Sequence, residues 1–114
     1  MGPLMKVTTD TFEERVLDSD LPVLVEFSTS RCPACHAARP VLEHLAEEFD
    51  GRVKIVEVNV EEEENLGGIF QIRAVPTLIF FKNGEFVEGW KGAPPAALLR
   101  RKLEQLTESY APRG

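Results

Sequence analysis

The chain has 114 residues, 43 % of them hydrophobic and 28 % charged, the balance of an ordinary globular chain long enough to build one core without covalent staples. Its formal net charge of −6, with acid concentrated at Glu61-Glu62-Glu63-Glu64, argues against a nucleic-acid binder, whose footprint is basic. No apolar run approaches the roughly 20 residues of a membrane span, and Met1-Gly2-Pro3-Leu4-Met5-Lys6 shows no apolar signal-peptide core, so the cytoplasm is the expected compartment and no membrane partner is expected.

Val7-Thr8 reads as a short strand. Asp10 with Glu13 resembles a capping box, opening a helix that buries Phe12, Val16 and Leu17. Pro22 to Phe27 is an apolar run broken only by Glu26, as in a central strand covered on both faces. The period of Ala37/Ala38, Val41/Leu42, Leu45/Ala46 and Phe49 predicts a long helix from Ala34 to Phe49. Pro33 suits its first turn, Pro40 is expected to kink it, and Asp50-Gly51 ends it. His44 lies off the apolar stripe, on a solvated face.

Val53 to Val60 is β-rich and predicts a strand. The acidic run reads as the solvated start of a weak helix carrying Leu66, Ile69 and Phe70. Gly67-Gly68 in that helix are not a phosphate loop, because no Lys-Ser/Thr pair follows. Thr77 to Phe81 and Phe86 to Trp90 are strands joined by Asn83-Gly84, a strong hairpin signal. Trp90 is expected to pack beside that hairpin. Pro94-Pro95 opens a final helix with Leu98/Leu99, Leu103 and Leu106 on one face, and the tail from Ala111 to Gly114 is expected to fray. The order is β-α-β-α-β-α-β-β-α, without repeat or linker: one domain over 1–114, its core about 7–107, with short flexible termini.

The two cysteines stand at Cys32 and Cys35, between the apolar strand and the long helix. That context turns a common spacing into a redox hypothesis. Residues three apart in a first helical turn share a face, so both sulfurs can meet in a disulfide with little backbone movement. Cys32 would occupy the helix N-cap, where orphan N–H groups and the dipole favour a thiolate, the species that attacks disulfides.

These features in this order make the chain similar to the thioredoxin family. The likeness rests on Val23-Leu24-Val25-Glu26-Phe27 before Cys32-x-x-Cys35, Pro40 in the next helix, Ala74-Val75-Pro76-Thr77-Leu78, Phe81-Lys82-Asn83-Gly84, and Gly92. The resemblance implies an α/β thioredoxin fold: a mixed five-stranded sheet flanked by four helices. It implies Cys32 as attacking thiol, Cys35 as resolving thiol, and a cis peptide at Val75-Pro76 facing the pair, offering the Val75 backbone to a client strand. Arg31, Pro33, Ala34, Val75, Pro76 and Gly92 are the expected client contacts. The chain departs from the family pattern in four ways: Arg31 stands where a tryptophan is usual, Ser28 where a second one is, Pro33-Ala34 replaces Gly-Pro, and Glu26 replaces Asp.

A carboxylate in an apolar strand is costly unless paired or used, so Glu26 is expected to accept the Cys35 proton, its pKa raised by burial. The alternatives are that Glu26 reaches solvent or pairs with a lysine such as Lys54. Arg31 should stabilise the Cys32 thiolate, and His36 only when its imidazole is protonated. Both would move the potential above about −270 mV, unless both side chains simply point to solvent.

The leading expectation is a protein-disulfide reductase of thioredoxin type. It would need no cofactor beyond the Cys32–Cys35 disulfide, take disulfide-containing client proteins, receive electrons from a flavoprotein thioredoxin reductase and be monomeric. One alternative is a more oxidising disulfide exchanger or isomerase. Another is a metal- or cluster-binding protein using Cys32, Cys35 and His36, although a closed zinc site needs a fourth ligand and none is evident. An adaptor using the fold only as a surface is a further alternative, opposed by the intact cysteine pair.

Overall fold

Strand β2 (Val23–Ser28) runs through the middle of a five-stranded sheet, with all six residues buried. The computed structural model describes residues 2–108. The other strands are β1 (Met5–Lys6), β3 (Lys54–Asn59), β4 (Thr77–Lys82) and β5 (Glu85–Lys91), in the spatial order β1-β3-β2-β4-β5. β1, β3 and β2 run parallel, and β4 and β5 are antiparallel to their neighbours. A π-helical turn (Glu13–Leu17) and helices α1 (Pro33–Glu48), α2 (Glu64–Ile69) and α3 (Ala96–Glu108) complete the order read from the sequence.

The two-residue period of a strand sends alternate side chains to opposite faces. Leu24, Ile55, Leu78 and Phe80 pack with Leu42, Leu45 and Phe49 of α1 and Leu99 and Leu103 of α3. Val23, Val25 and Phe27 face the other way, toward Phe12, Val16 and Leu66. Glu26 lies between Val25 and Phe27, and alternation therefore turns it toward α1. α2 is short and carries two glycines, yet it is anchored. Leu66 is buried, and the Phe70 ring lies 5.4 to 5.6 Å from those of Phe12, Phe27 and Phe81.

The hairpin turn follows its signal. Asn83 and Gly84 both have positive φ, 54° and 78°, as a type I′ turn requires. The ladder slips between Phe80 and Phe81, so Phe80 opposes Glu88 while Phe81 opposes Phe86.

Four local expectations give way. The first strand is Met5–Lys6 rather than Val7-Thr8, and Leu4 is already buried, so the packed region begins before Val7. Val7 still donates its N–H to Glu57 at 2.8 Å, but Thr8 turns the chain, taking a hydrogen bond from the Thr11 N–H at 3.1 Å. That turn displaces the Asp10–Glu13 capping box: the helical turn starts at Glu13 with no side-chain cap, and the Asp18 N–H reaches back five residues to Glu13. Phe12 and Val16 are buried as expected, with Leu17 partly covered. Ile69 and Leu98 are exposed, at 68 % and 53 %, because one turn of α2 and the narrow stripe of α3 need only Leu66, Leu99 and Leu103 to close the core. The expectation for Ala111 to Gly114 lies outside the described residues.

Candidate active site

Helix α1 opens directly onto the sulfurs. Cys32 is its N-cap, in extended conformation at φ −127° and ψ 101°, and Pro33 takes the first helical position, where its missing N–H leaves nothing unsatisfied. The Cys32 Sγ accepts the Cys35 N–H at 3.0 Å, so the sulfur itself caps the helix. Cys32 and Cys35 form a disulfide across a Cα separation of 5.1 Å. Their exposure differs: Cys32 keeps 6 % and Cys35 none. An incoming group can reach only the first.

The loop before Cys32 is held from three sides at Ser30. Its N–H donates to Glu61 Oε1 at 3.0 Å, its Oγ accepts from Asn59 Nδ2 at 3.1 Å, and its carbonyl lies 3.0 Å from His36 Nε2. Asn59 Oδ1 in turn accepts the Glu61 N–H at 2.9 Å. The acidic run is therefore more than a solvated helix start: Glu63 Oε1 accepts from both the N–H and the hydroxyl of Thr9, and Glu62 lies 3.8 Å from Lys6. Arg31 and Pro33 are exposed beside Cys32, and among the described residues Arg31 makes no ion pair. His44 is exposed, 3.9 Å from Glu48.

On the other side of the sulfurs lies a mostly apolar groove of about 310 Å³, lined by Ala34, Ala37, Val41, Pro76, Gly92 and Pro94 among others. The Val75–Pro76 peptide is cis. Pro76 accepts the Gly92 N–H at 2.7 Å, and Gly92 adopts φ +84°, a conformation that suits glycine. Among the described residues, no hydrogen bond satisfies the Val75 N–H or carbonyl. Trp90 packs partly against the α1–α3 core rather than lining this groove.

Glu26 is fully buried, and neither carboxyl oxygen has a hydrogen-bond partner. Both alternatives for it fail: it does not reach solvent, and Lys54 gives its ammonium to the Arg15 carbonyl at 3.1 Å. Burial pushes the Glu26 pKa from 4.5 to about 7; Arg39 opposes the rise and Glu57 adds to it. Sequence reasoning missed those two neighbours. Arg39 Nη2 lies 3.2 Å from Glu57 Oε2, and Glu57 is itself buried. The signals were present: Glu57 is the one charged residue inside the buried run of β3, just as Glu26 is in β2, and Arg39 follows Cys35 by one helical turn.

Among the described residues, no group of three or more His, Cys, Asp or Glu could hold a metal ion, and no helix is long and apolar enough to cross a membrane. Residues 3–105 match the thioredoxin family model. The chain is 39 % identical to thioredoxin 1 of Nostoc sp. and 38 % identical to the thioredoxin of Synechocystis sp., each across 92 % of this chain and 98 % of the relative. It is 40 % identical to thioredoxin C-2 of Corynebacterium nephridii, across 90 % and 94 %. This company favours disulfide reduction over the more oxidising exchanger and the metal-binding protein. With a cysteine pair bonded at a helix mouth and relatives of this kind along nearly its whole length, the chain belongs to the thioredoxin family and is a thiol-disulfide oxidoreductase with protein-disulfide reductase activity.

Proposed function

We propose that Cys32 attacks client disulfides and Cys35 resolves the product, with Glu26 accepting the Cys35 proton. The supporting observation is the asymmetry of the pair: the sulfur at the helix N-cap keeps the accessible edge, and its partner one turn on is fully covered. The Cys32 thiolate displaces one client sulfur and forms a mixed disulfide. Cys35 gives its proton to Glu26 and bonds to the Cys32 Sγ, and the second client sulfur leaves with the electron pair. The client gains two electrons, and the protein ends as its disulfide. Both reacting sulfurs belong to one helical turn, so the second step is intramolecular and fast.

A client segment lies in the groove beside Ala34, Pro76 and Gly92, with Arg31 and Pro33 at its rim, and pairs with the unsatisfied backbone of Val75 as an added strand. Arg31 and a protonated His36 favour the Cys32 thiolate. The 114 residues act as one domain, a cytoplasmic monomer without resident cofactor, re-reduced by a flavoprotein thioredoxin reductase. Trapping tests the roles. Cys35→Ser should accumulate a client mixed disulfide through Cys32, and Cys32→Ser should accumulate none. Equal trapping through either cysteine would overturn the assignment.

A further inference from the structure

A second groove abuts the one beside the sulfurs. Pro76 and Gly92 line the first, and their chain neighbours Thr77 and Lys91 line a second of about 260 Å³. The seam between them is the 2.7 Å hydrogen bond from the Gly92 N–H to the Pro76 carbonyl, with the Thr77–Lys91 register pair beside it. The second groove runs along β5, an edge strand of the sheet, and includes Ile72 and Phe86 as apolar lining. Phe86 is 61 % exposed and its ring lies over Gly89, where a Cβ would come 3.3 Å from Cε2. The Thr77 hydroxyl donates to the Ala74 carbonyl at 2.6 Å, which ties the segment carrying Arg73 to the start of β4.

The charges of these grooves run against those of the chain. Acidic residues outnumber Lys and Arg by 19 to 13, yet among the described residues none lines either groove. The charged residues that do are Arg73 and Lys91, both in the second groove. Both are exposed, as is Arg31 next to Cys32, and among the described residues none of the three makes an ion pair. The acids are engaged elsewhere: Glu61 with Ser30, Glu62 with Lys6, Glu63 with Thr9, and Glu88 with Lys102 of α3 at 3.2 Å. Unpaired cations beside an exposed apolar trough are complementary to a segment that is both acidic and apolar.

We propose that the second groove is a specificity arm for clients, in which Arg73 and Lys91 select segments carrying Asp or Glu beside an apolar residue close to the cysteine under attack. The selection rests on the reading that the client pairs with Val75. Val75 lies midway between Arg73 and Thr77 in the chain, so a client strand laid along it passes from the first groove into the second. The client's apolar side chain covers Ile72 and Phe86, its carboxylates face Arg73 and Lys91, and Arg31 adds a cation at the sulfur end. A basic segment meets the same charges as repulsion.

Three peptides test this, each closed by one disulfide and differing only in whether the residues flanking the cysteines are Glu, Gln or Lys. The wild type should reduce the Glu peptide with a kcat/KM about tenfold above that of the Lys peptide, with Gln between them. That ratio should shrink as NaCl rises from about 0.05 to about 0.5 M. Arg73→Gln with Lys91→Gln should flatten the series, and Arg73→Glu with Lys91→Glu should invert it. A general loss of activity lowers all three peptides together and leaves the ratio in place, so the ratio reports selection alone. A flat series in the wild type, or a ratio unmoved by charge reversal, overturns the proposal. So does a flat series accompanied by self-association in analytical ultracentrifugation that Lys91→Glu abolishes, which would assign the surface to a second copy of the chain. Amide NMR of the Cys35→Ser mixed disulfide with the Glu peptide separates the two readings. Shifted Val75 and Gly92 amides with a flat series remove the selection and keep the client site; unshifted ones remove both.

Discussion

Glu26 on β2 and Glu57 on β3 stand side by side across the centre of the sheet, the two buried carboxylates among the described residues, and one arginine serves them both. Well-packed apolar residues in place of buried charged groups are often neutral or stabilising. The chain instead keeps a carboxyl whose proton is retained to about pH 7 directly beneath a cysteine helix. The energetic consequence is measurable apart from any reaction.

Stability should fall as pH rises through the range between the unfolded and folded Glu26 values. The unfolded chain loses this proton near 4.5 and the folded chain near 7, so between them the folded state binds more protons and each step up in pH favours unfolding. The contribution is fully present below the lower value and is lost above the higher one. The shift corresponds to roughly 3 kcal/mol. Urea denaturation at pH 5 and pH 8 should show the loss in wild type, and Glu26→Gln should remove most of the difference between the two conditions.

Turnover should respond to the same substitution. Glu26→Gln leaves the helix mouth and the accessible Cys32 sulfur untouched but removes the proposed acceptor for Cys35. Insulin reduction at neutral pH should slow by on the order of 100-fold, while alkylation of Cys32 in the reduced protein keeps its rate. Unchanged turnover from pH 6 to 9 would remove Glu26 from the reaction.

The site was legible where one residue type carries the chemistry: a Cys-x-x-Cys after an apolar strand, a proline suited to a helix start, a lone acid in a buried run. The fold was legible where period and turn chemistry agreed, as in α1 and at Asn83-Gly84. What escaped depends on pairing in space. Glu57 and Arg39 each carry a local signal, but only the β2–β3 register and the α1 turn show that they meet at Glu26. Asn59 lies in a run that reads as a strand and Glu61 in an acidic run that reads as solvated, and only the folded chain shows both reaching Ser30. Asp10 misled because Thr8 and Thr11 turn the backbone first, through bonds no spacing rule weighs.

The hairpin turn is also a packing contact. Gly84 has φ +78°, and a Cβ there would lie 2.8 Å from the Leu17 carbonyl oxygen. Backbone of the π-helical turn cannot yield as a flexible side chain would. Gly84→Ala therefore meets left-handed strain and a clash together, and thermal unfolding should show a loss of at least about 2 kcal/mol. Gly51→Ala is the comparison: its φ is +83° but nothing lies within 4 Å, so it should lose only about 1 kcal/mol.

Ser30 offers a test of how the approach to Cys32 is held. Its amide donates to Glu61, its hydroxyl oxygen accepts from Asn59, and its carbonyl faces His36, so the residue two positions before the attacking sulfur has each polar group engaged. Removing the carboxylate in Glu61→Ala frees the amide on an exposed loop, where a hydrogen bond contributes about 1 kcal/mol. Hydrogen exchange at the Ser30 amide should therefore accelerate about fivefold, with little change in the global unfolding midpoint. Glu61→Gln keeps an acceptor oxygen and should protect the amide nearly as well. A Ser30 amide that exchanges at the wild-type rate in Glu61→Ala would mean that Asn59 and His36 alone fix the loop.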